Sequence, residues 1–217
     1  MSPLSLPGVY APQADTVLLA EALAREPLCP GARALDLGTG TGALALAAAR
    51  RGAQVTAVDV SWPAVLTARL NARRARLPVR VLHGDLLDPV AGQTFDLILS
   101  NPPYVPAPSA RPPRRGAARA WDAGSDGRLV LDRICRRAPA LLAPGGRLLL
   151  VHSALSDPEA TLTQLRTAGL RAAVTEHRYI PFGPVLRARQ TWLRATGLLR
   201  NAADKEELVI IRAERPH

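Results

Sequence analysis

Ala32-Arg33-Ala34-Leu35-Asp36-Leu37-Gly38-Thr39-Gly40-Thr41-Gly42-Ala43-Leu44-Ala45 passes from an apolar run through three alternating glycines into an alanine- and leucine-rich segment. Ala32 to Leu37 reads as a strand and Ala43 to Arg50 as a helix that starts just after the turn. A strand that feeds a helix through glycines lets the backbone pass close under a ligand, where side chains would block it. Such a turn serves a dinucleotide, another nucleotide or S-adenosylmethionine, and it also occurs as plain structure.

The pattern repeats on the C-terminal side. Gln54 to Val60 reads as a second strand. Ser61 is placed to cap a helix with Pro63 in its first turn, running to about Arg74 with Val65, Leu66 and Leu70 on its buried face. Val79 to His83 and Phe95 to Ser100 read as strands three and four. A helix from about Arg128 to Leu142 is predicted to stop at Pro144-Gly145-Gly146, followed by a fifth strand over Arg147 to His152. Asp157-Pro158-Glu159 opens another helix through Ala168-Gly169, and Arg171 to Glu176 and Glu207 to Ala213 complete the strands. Strands alternating with helices predict an α/β, Rossmann-like fold with a seven-stranded, mostly parallel sheet and helices on both faces. Two segments lie outside this alternation. Pro106 to Trp121, rich in Pro, Arg, Ala and Gly, predicts either a mobile surface loop or a flap (about 105–121) that grips a substrate. Arg178 to Asp204 predicts a functional loop or lid, with an Arg-rich helical pattern around Trp192.

A chain of 217 residues with 47% hydrophobic content fits one domain, 1–217. No apolar run approaches the roughly 20 residues that span a bilayer, and Met1 to Pro7 lacks the basic start and apolar core of a signal peptide. A cytoplasmic protein with no membrane partner is expected. Cys29, Cys135 and the four histidines fall in no metal-ligand spacing, so no metal site is expected. The net charge of +10 raises nucleic acid as a partner. Lys205 is the only lysine, however, and arginine in a chain crowded with Ala, Leu, Pro and Gly suggests a coding bias.

Three carboxylates follow strand ends. Asp59 can accept both ribose hydroxyls of an adenosine, as it could for a dinucleotide. Asp85, in His83-Gly84-Asp85-Leu86, can accept the exocyclic amine of adenine while Leu86 offers an apolar contact and a backbone donor. Asp36 precedes the glycines, where a negative charge suits a cationic amino group and would repel a pyrophosphate. Together with Gly38, Gly40 and Gly42 these favour S-adenosylmethionine as cofactor.

Asn101-Pro102-Pro103-Tyr104 ends the fourth strand, beside the glycine turn, where open parallel sheets bind ligands. The Asn101 side-chain oxygen and the Pro102 carbonyl can accept the two N–H bonds of a planar nitrogen, and the Tyr104 ring can cover its face. Prolines fix φ and keep that carbonyl aimed. Asn101, Pro102 and Tyr104 are therefore the candidate catalytic residues of an N-methyltransferase.

These motifs resemble the HemK-like protein glutamine methyltransferases, in particular the short branch without the N-terminal helical domain. The segment Gly8-Val9-Tyr10-Ala11-Pro12-Gln13-Ala14-Asp15-Thr16 is similar to that branch's start, and Trp121-Asp122-Ala123-Gly124-Ser125-Asp126-Gly127-Arg128 to its glycine-rich segment after the flap. The resemblance implies the class I methyltransferase fold. It implies that Thr16, with Asn101, contacts the cofactor's methionine end, and that Tyr10, Pro103 and Tyr104 line the substrate site. The acceptor it implies is the glutamine side-chain amide in the Gly-Gly-Gln loop of a release factor, and relatives in eukaryotes act with a small activating subunit. Ala11 and Ala14 stand where the branch usually carries acids, and the 178–204 segment exceeds its final hairpin. A nucleic-acid base, held by the same geometry with Arg111, Arg114, Arg115, Arg119, Arg187, Arg189 and Arg194 on the phosphates, and a small-molecule amine are the alternative acceptors.

Overall fold

The computed structural model describes residues 3–111, 113, 116–200 and 204–217. Seven strands form one sheet: β1 (Arg33–Leu37), β2 (Gln54–Asp59), β3 (Val79–His83), β4 (Phe95–Ser100), β5 (Leu142–Ser153), β6 (Arg171–Pro181) and β7 (Lys205–Glu214). Their order is β3-β2-β1-β4-β5-β7-β6. The strands from β3 to β5 are parallel, and β7 runs antiparallel between β5 and β6. The chain moves outward from β1 in both directions, so the sheet changes direction between β1 and β4, and the crevice at their carboxyl ends is where such sheets take ligands.

The helices are α1 (Ala14–Arg25), α2 (Ala43–Arg50), α3 (Trp62–Ala75), α4 (Leu131–Arg137), α5 (Pro158–Thr167) and α6 (Pro184–Ala195). α2 packs between α1 and α3, and α4 packs on α5. Ile98, Leu99, Leu148 and Leu150 of the central strands are fully buried between these helical layers. Among the described residues no helix is long and apolar enough to cross a membrane.

Four elements depart from the sequence reading. α1 does not figure in it, although Leu18, Leu19, Ala22 and Leu23 recur at helical spacing and are buried. On α3, Val65 is buried as expected, but Leu66 is 54% exposed and Leu70 41%. The face that packs is instead one of small residues, Ala64, Ala68 and Ala72, because the helix lies close against the glycine turn: a Cβ on Gly42 would stand 3.2 Å from the Ala68 Cβ. Ser61 gives α3 no side-chain cap. The predicted helix to Leu142 stops at Arg137 and tightens into a 3₁₀ turn over Ala138–Leu141. Pro144-Gly145-Gly146 lies inside β5 rather than before it. There the Gly145 N–H donates to the Arg215 carbonyl and the Arg215 N–H to the Gly146 carbonyl, so pairing carries through the glycines.

The fourth departure is the segment after Arg178. Its first residues extend β6 to Pro181 against the start of β7, and Pro184–Ala195 form α6; Phe182, Leu186, Leu193 and Leu199 of the segment are buried. It is a packed hairpin and helix. Residues 201–203 lie outside the described residues, as do Arg114 and Arg115 of the flap.

Candidate active site

A cavity of about 660 Å³ opens at the carboxyl ends of β1, β2 and β4, within the size range of small-molecule sites. Gly38 and Gly40, with φ of 69° and 52°, form its floor. An added side chain at either would also need a backbone conformation that costs an L-residue about 1–2 kcal/mol. The turn is tied to β2, the Gly38 and Thr39 N–H groups both donating to the Val58 carbonyl.

Asp59, at the end of β2, lines the cavity. Its Oδ2 accepts the Gly40 N–H at 2.9 Å and its Oδ1 the Ser61 N–H at 2.8 Å. Burial pushes its pKa up, while these two bonds and Arg119 pull the other way. Two bonds from the protein leave further lone pairs for hydroxyl donors. Asp85 and Leu86 line the same cavity. Asp85 is paired with Arg133 at 2.6 Å, also a lining residue. Leu86 sits at φ 48°, and the preceding Gly84 is required by Pro89, whose Cγ a Cβ there would meet at 2.1 Å.

The opposite wall brings together Tyr10, Thr16, Asn101 and Pro103. Asn101 Nδ2 donates to Thr16 Oγ1 at 3.2 Å, joining the end of β4 to the first turn of α1. The flap supplies the roof. Pro113, Gly116, Ala117, Arg119 and Ala120 line the cavity, the last three within a 3₁₀ turn over Ala117–Ala120. α6 reaches the flap's base, where Arg189 pairs with Asp122 at 2.6 Å and donates to the Pro106 carbonyl at 3.0 Å. Arg189 therefore holds the protein's own chain rather than an outside phosphate.

Four expected site residues stand off the wall. Asp36 is buried beneath the turn, with its Oδ2 accepting the Thr39 hydroxyl at 2.6 Å and the Ala45 N–H at 3.1 Å; desolvation raises its pKa to about 6. It organises the loop from below. Gly42 faces Ala68 of α3, so its missing side chain serves helix packing. Pro102 is buried behind Asn101 and Pro103. Tyr104 is only 8% exposed, and its hydroxyl donates to Asp15 Oδ2 at 3.2 Å. A buried phenol requires such a partner, and satisfying it turns the ring into the core and away from the cavity, where Tyr10 stands instead.

Sequence reasoning gave no role to Arg133, Asp122 or Asp15, and counted Arg119 only among the arginines that would track phosphates. Asp15 lay inside the motif that carries Tyr10 and Thr16, but its bond to Tyr104, 89 residues on, forms only in three dimensions. No spacing signals Arg133, which is 48 residues from its partner Asp85.

Residues 2–111 match the model of the methyltransferase small domain family. A Methanocaldococcus jannaschii protein assigned as a protein N5-glutamine methyltransferase is 32% identical over 177 residues, covering 81% of this chain and 88% of that one. The release factor glutamine methyltransferase of Deinococcus radiodurans is 42% identical over 169 residues. Those residues make up 75% of this chain, which spans 57% of that relative's length. The solved Encephalitozoon cuniculi complex of Mtq2 with Trm112, responsible for methylation of the termination factor eRF1, contains a chain of the same fold. It superposes with a TM-score of 0.68 at 24% identity, covering 96% of this chain and 99% of that one.

Proposed function

The chain belongs to the methyltransferase small domain family, and on that premise we propose that it methylates the side-chain amide nitrogen of a glutamine in a peptide chain release factor, using S-adenosylmethionine, in the cytoplasm. One observation carries the reading. Asn101 and Pro103, at the end of β4, share a single cavity with the glycine floor and the Asp59 carboxylate. An amide held at Asn101 is thereby next to anything bound over Gly38 and Gly40.

The residues present fit the cofactor. The side-chain-free floor admits a ligand against the backbone, Asp59 retains acceptor capacity for ribose hydroxyls, and Asp85 and Leu86 offer a carboxylate and an apolar contact for an adenine. S-adenosylmethionine supplies an electrophilic methyl on a good leaving group. The protein then has to orient the acceptor nitrogen and exclude water. Asn101 Oδ1 would accept an amide N–H and so favour the positive charge that grows on nitrogen as it attacks. The roof formed by the flap limits solvent access.

The relatives' acceptors support a protein substrate. The use of Arg189 inside the molecule and the closeness of Arg119 to Asp59 weaken the phosphate-tracking alternative. A small partner subunit, as in the E. cuniculi pair, forms part of the proposal. The test is transfer of tritiated methyl from S-adenosylmethionine to a purified release factor, total RNA, DNA and a small-molecule fraction, run with the chain alone and with a Trm112-type partner. Label in the release factor is expected. Label confined to nucleic acid or small molecules would assign another acceptor.

A further inference from the structure

Asp15, in the first turn of α1, is 4% exposed and lies behind the wall that Tyr10, Thr16 and Asn101 form. Its Oδ1 accepts the Thr16 N–H at 2.6 Å and the Thr16 hydroxyl at 3.2 Å. Its Oδ2 accepts the hydroxyls of Tyr10 at 3.0 Å and Tyr104 at 3.2 Å. Burial and this carboxylate hold both phenols well above their usual pKa, so they stay donors. Thr16 Oγ1 in turn accepts Asn101 Nδ2 at 3.2 Å.

Chemistry fixes the direction of this chain of bonds. A carboxylate has no proton to give, so the single Thr16 hydroxyl proton goes to Asp15 and a lone pair is left facing Asn101. Only the NH₂ end of Asn101 can meet a lone pair; a flipped amide would set oxygen against oxygen with no proton between them. Oδ1 is then the end left for the cavity. An oxygen there receives an N–H donor and repels a carboxylate of the same shape, which separates glutamine from glutamate.

We propose that Asp15 is a positioning residue which, through Thr16, holds the Asn101 amide with its oxygen toward the methyl acceptor and so selects an acceptor that donates an N–H. By anchoring Tyr10 and Tyr104 on the same carboxylate, it also ties α1 to the strand end that carries Asn101. The proposal rests on the reading of Asn101 as the group that binds the acceptor. Removing the carboxylate leaves the Thr16 hydroxyl without its acceptor; the hydroxyl then reverses toward Asn101, whose amide turns and presents NH₂ to the cavity.

Asp15→Ala tests this, because an Asn there would keep an oxygen for the Thr16 N–H and hydroxyl and leave the relay in place. The kcat of Asp15→Ala is expected to fall at least ~30-fold while cofactor affinity stays within ~3-fold. The double variant with Asn101→Ala should match Asn101→Ala alone within ~3-fold, since both act at one amide. Losses that multiply, or an Asp15→Ala protein with full activity, would overturn the proposal. Thr16→Val breaks the same relay with the carboxylate intact, is expected to give the same non-additivity, and decides the matter if Asp15→Ala does not fold. A third readout needs no acceptor. The Asn101 side-chain ¹⁵N–¹H pair, identified by its loss in Asn101→Ala, should shift in both Asp15→Ala and Thr16→Val, and an unmoved pair would overturn the proposal. If the pair shifts but release factor stays unlabelled, the acceptor assignment fails and the relay stands.

Discussion

Asp59 takes the Gly40 and Ser61 N–H groups, one on each oxygen, and Asn101 gives its NH₂ to Thr16; in the proposed function Asp59 serves the cofactor and Asn101 the acceptor. Substitutions at the two should therefore separate. Asp59→Ala is expected to weaken S-adenosylmethionine at least ~10-fold in calorimetry, the scale of a lost charge-assisted hydrogen bond pair. Asn101→Ala should leave that affinity within a few-fold and lower kcat by ~100-fold or more, about 2.7 kcal/mol of transition-state stabilisation. Cofactor binding lost in Asn101→Ala would move that residue out of the acceptor site. Glu206 gives a pH-dependent prediction. Burial, opposed by a bond to Ser153 and reinforced by Asp15, raises its pKa from 4.5 to about 7. A raised acid costs nothing below its unfolded pKa and destabilises the fold as pH climbs through the folded one. Glu206→Gln should accordingly raise Tm at about pH 8, with the gain shrinking toward about pH 4.5; equal gains at both ends would show that charge is not the cause.

At the scale of elements, the strands and the glycine turn were legible because each is a local pattern: an apolar run, a stop, a carboxylate just past the end. Packing partners were not. Leu66 and Leu70 look like a core face until one sees that α3 must approach the glycine turn through Ala64, Ala68 and Ala72, which turns the leucines outward. Gly42 belongs to the same contact, and with φ 82° and 3.2 Å of room to Ala68, Gly42→Ala is expected to cost about 1–3 kcal/mol. An unchanged urea midpoint would contradict that packing. Tyr104 misled for a similar reason, since a motif fixes its place on the strand end but not which way the ring turns. The Arg178 to Asp204 segment likewise hid its role: only the fold brings Arg189 of α6 to Pro106 and Asp122. Arg189→Ala should speed amide exchange at Val105, Ala107 and Ala123 at least ~10-fold by freeing the flap's base, and unchanged protection there would mean that α6 does not brace it.

Across the whole molecule, a sheet that winds outward from β1 in two directions puts the glycine turn, Asp59 and Asn101 at neighbouring strand ends, although they are spread over more than sixty residues of sequence. The alternation of strands and helices implied this gathering, and so the side of the cavity lined by Gly38, Gly40, Asp59, Asp85 and Leu86 could be read in advance. The other side depends on α1, which carries Thr16 and Asp15 across to β4, and on the flap and α6, whose positions follow from long-range contacts that no local pattern encodes. The central claim concerns one nitrogen atom, and tandem mass spectrometry can locate it. A release factor incubated with S-adenosylmethionine and the protein, alone and with a Trm112-type partner, should carry a single added methyl on the side-chain nitrogen of its Gly-Gly-Gln glutamine. Replacing that glutamine should abolish the mark, and Asn101→Ala should nearly do so. An unmodified glutamine in both preparations, or a methyl group on another atom, would contradict the assignment.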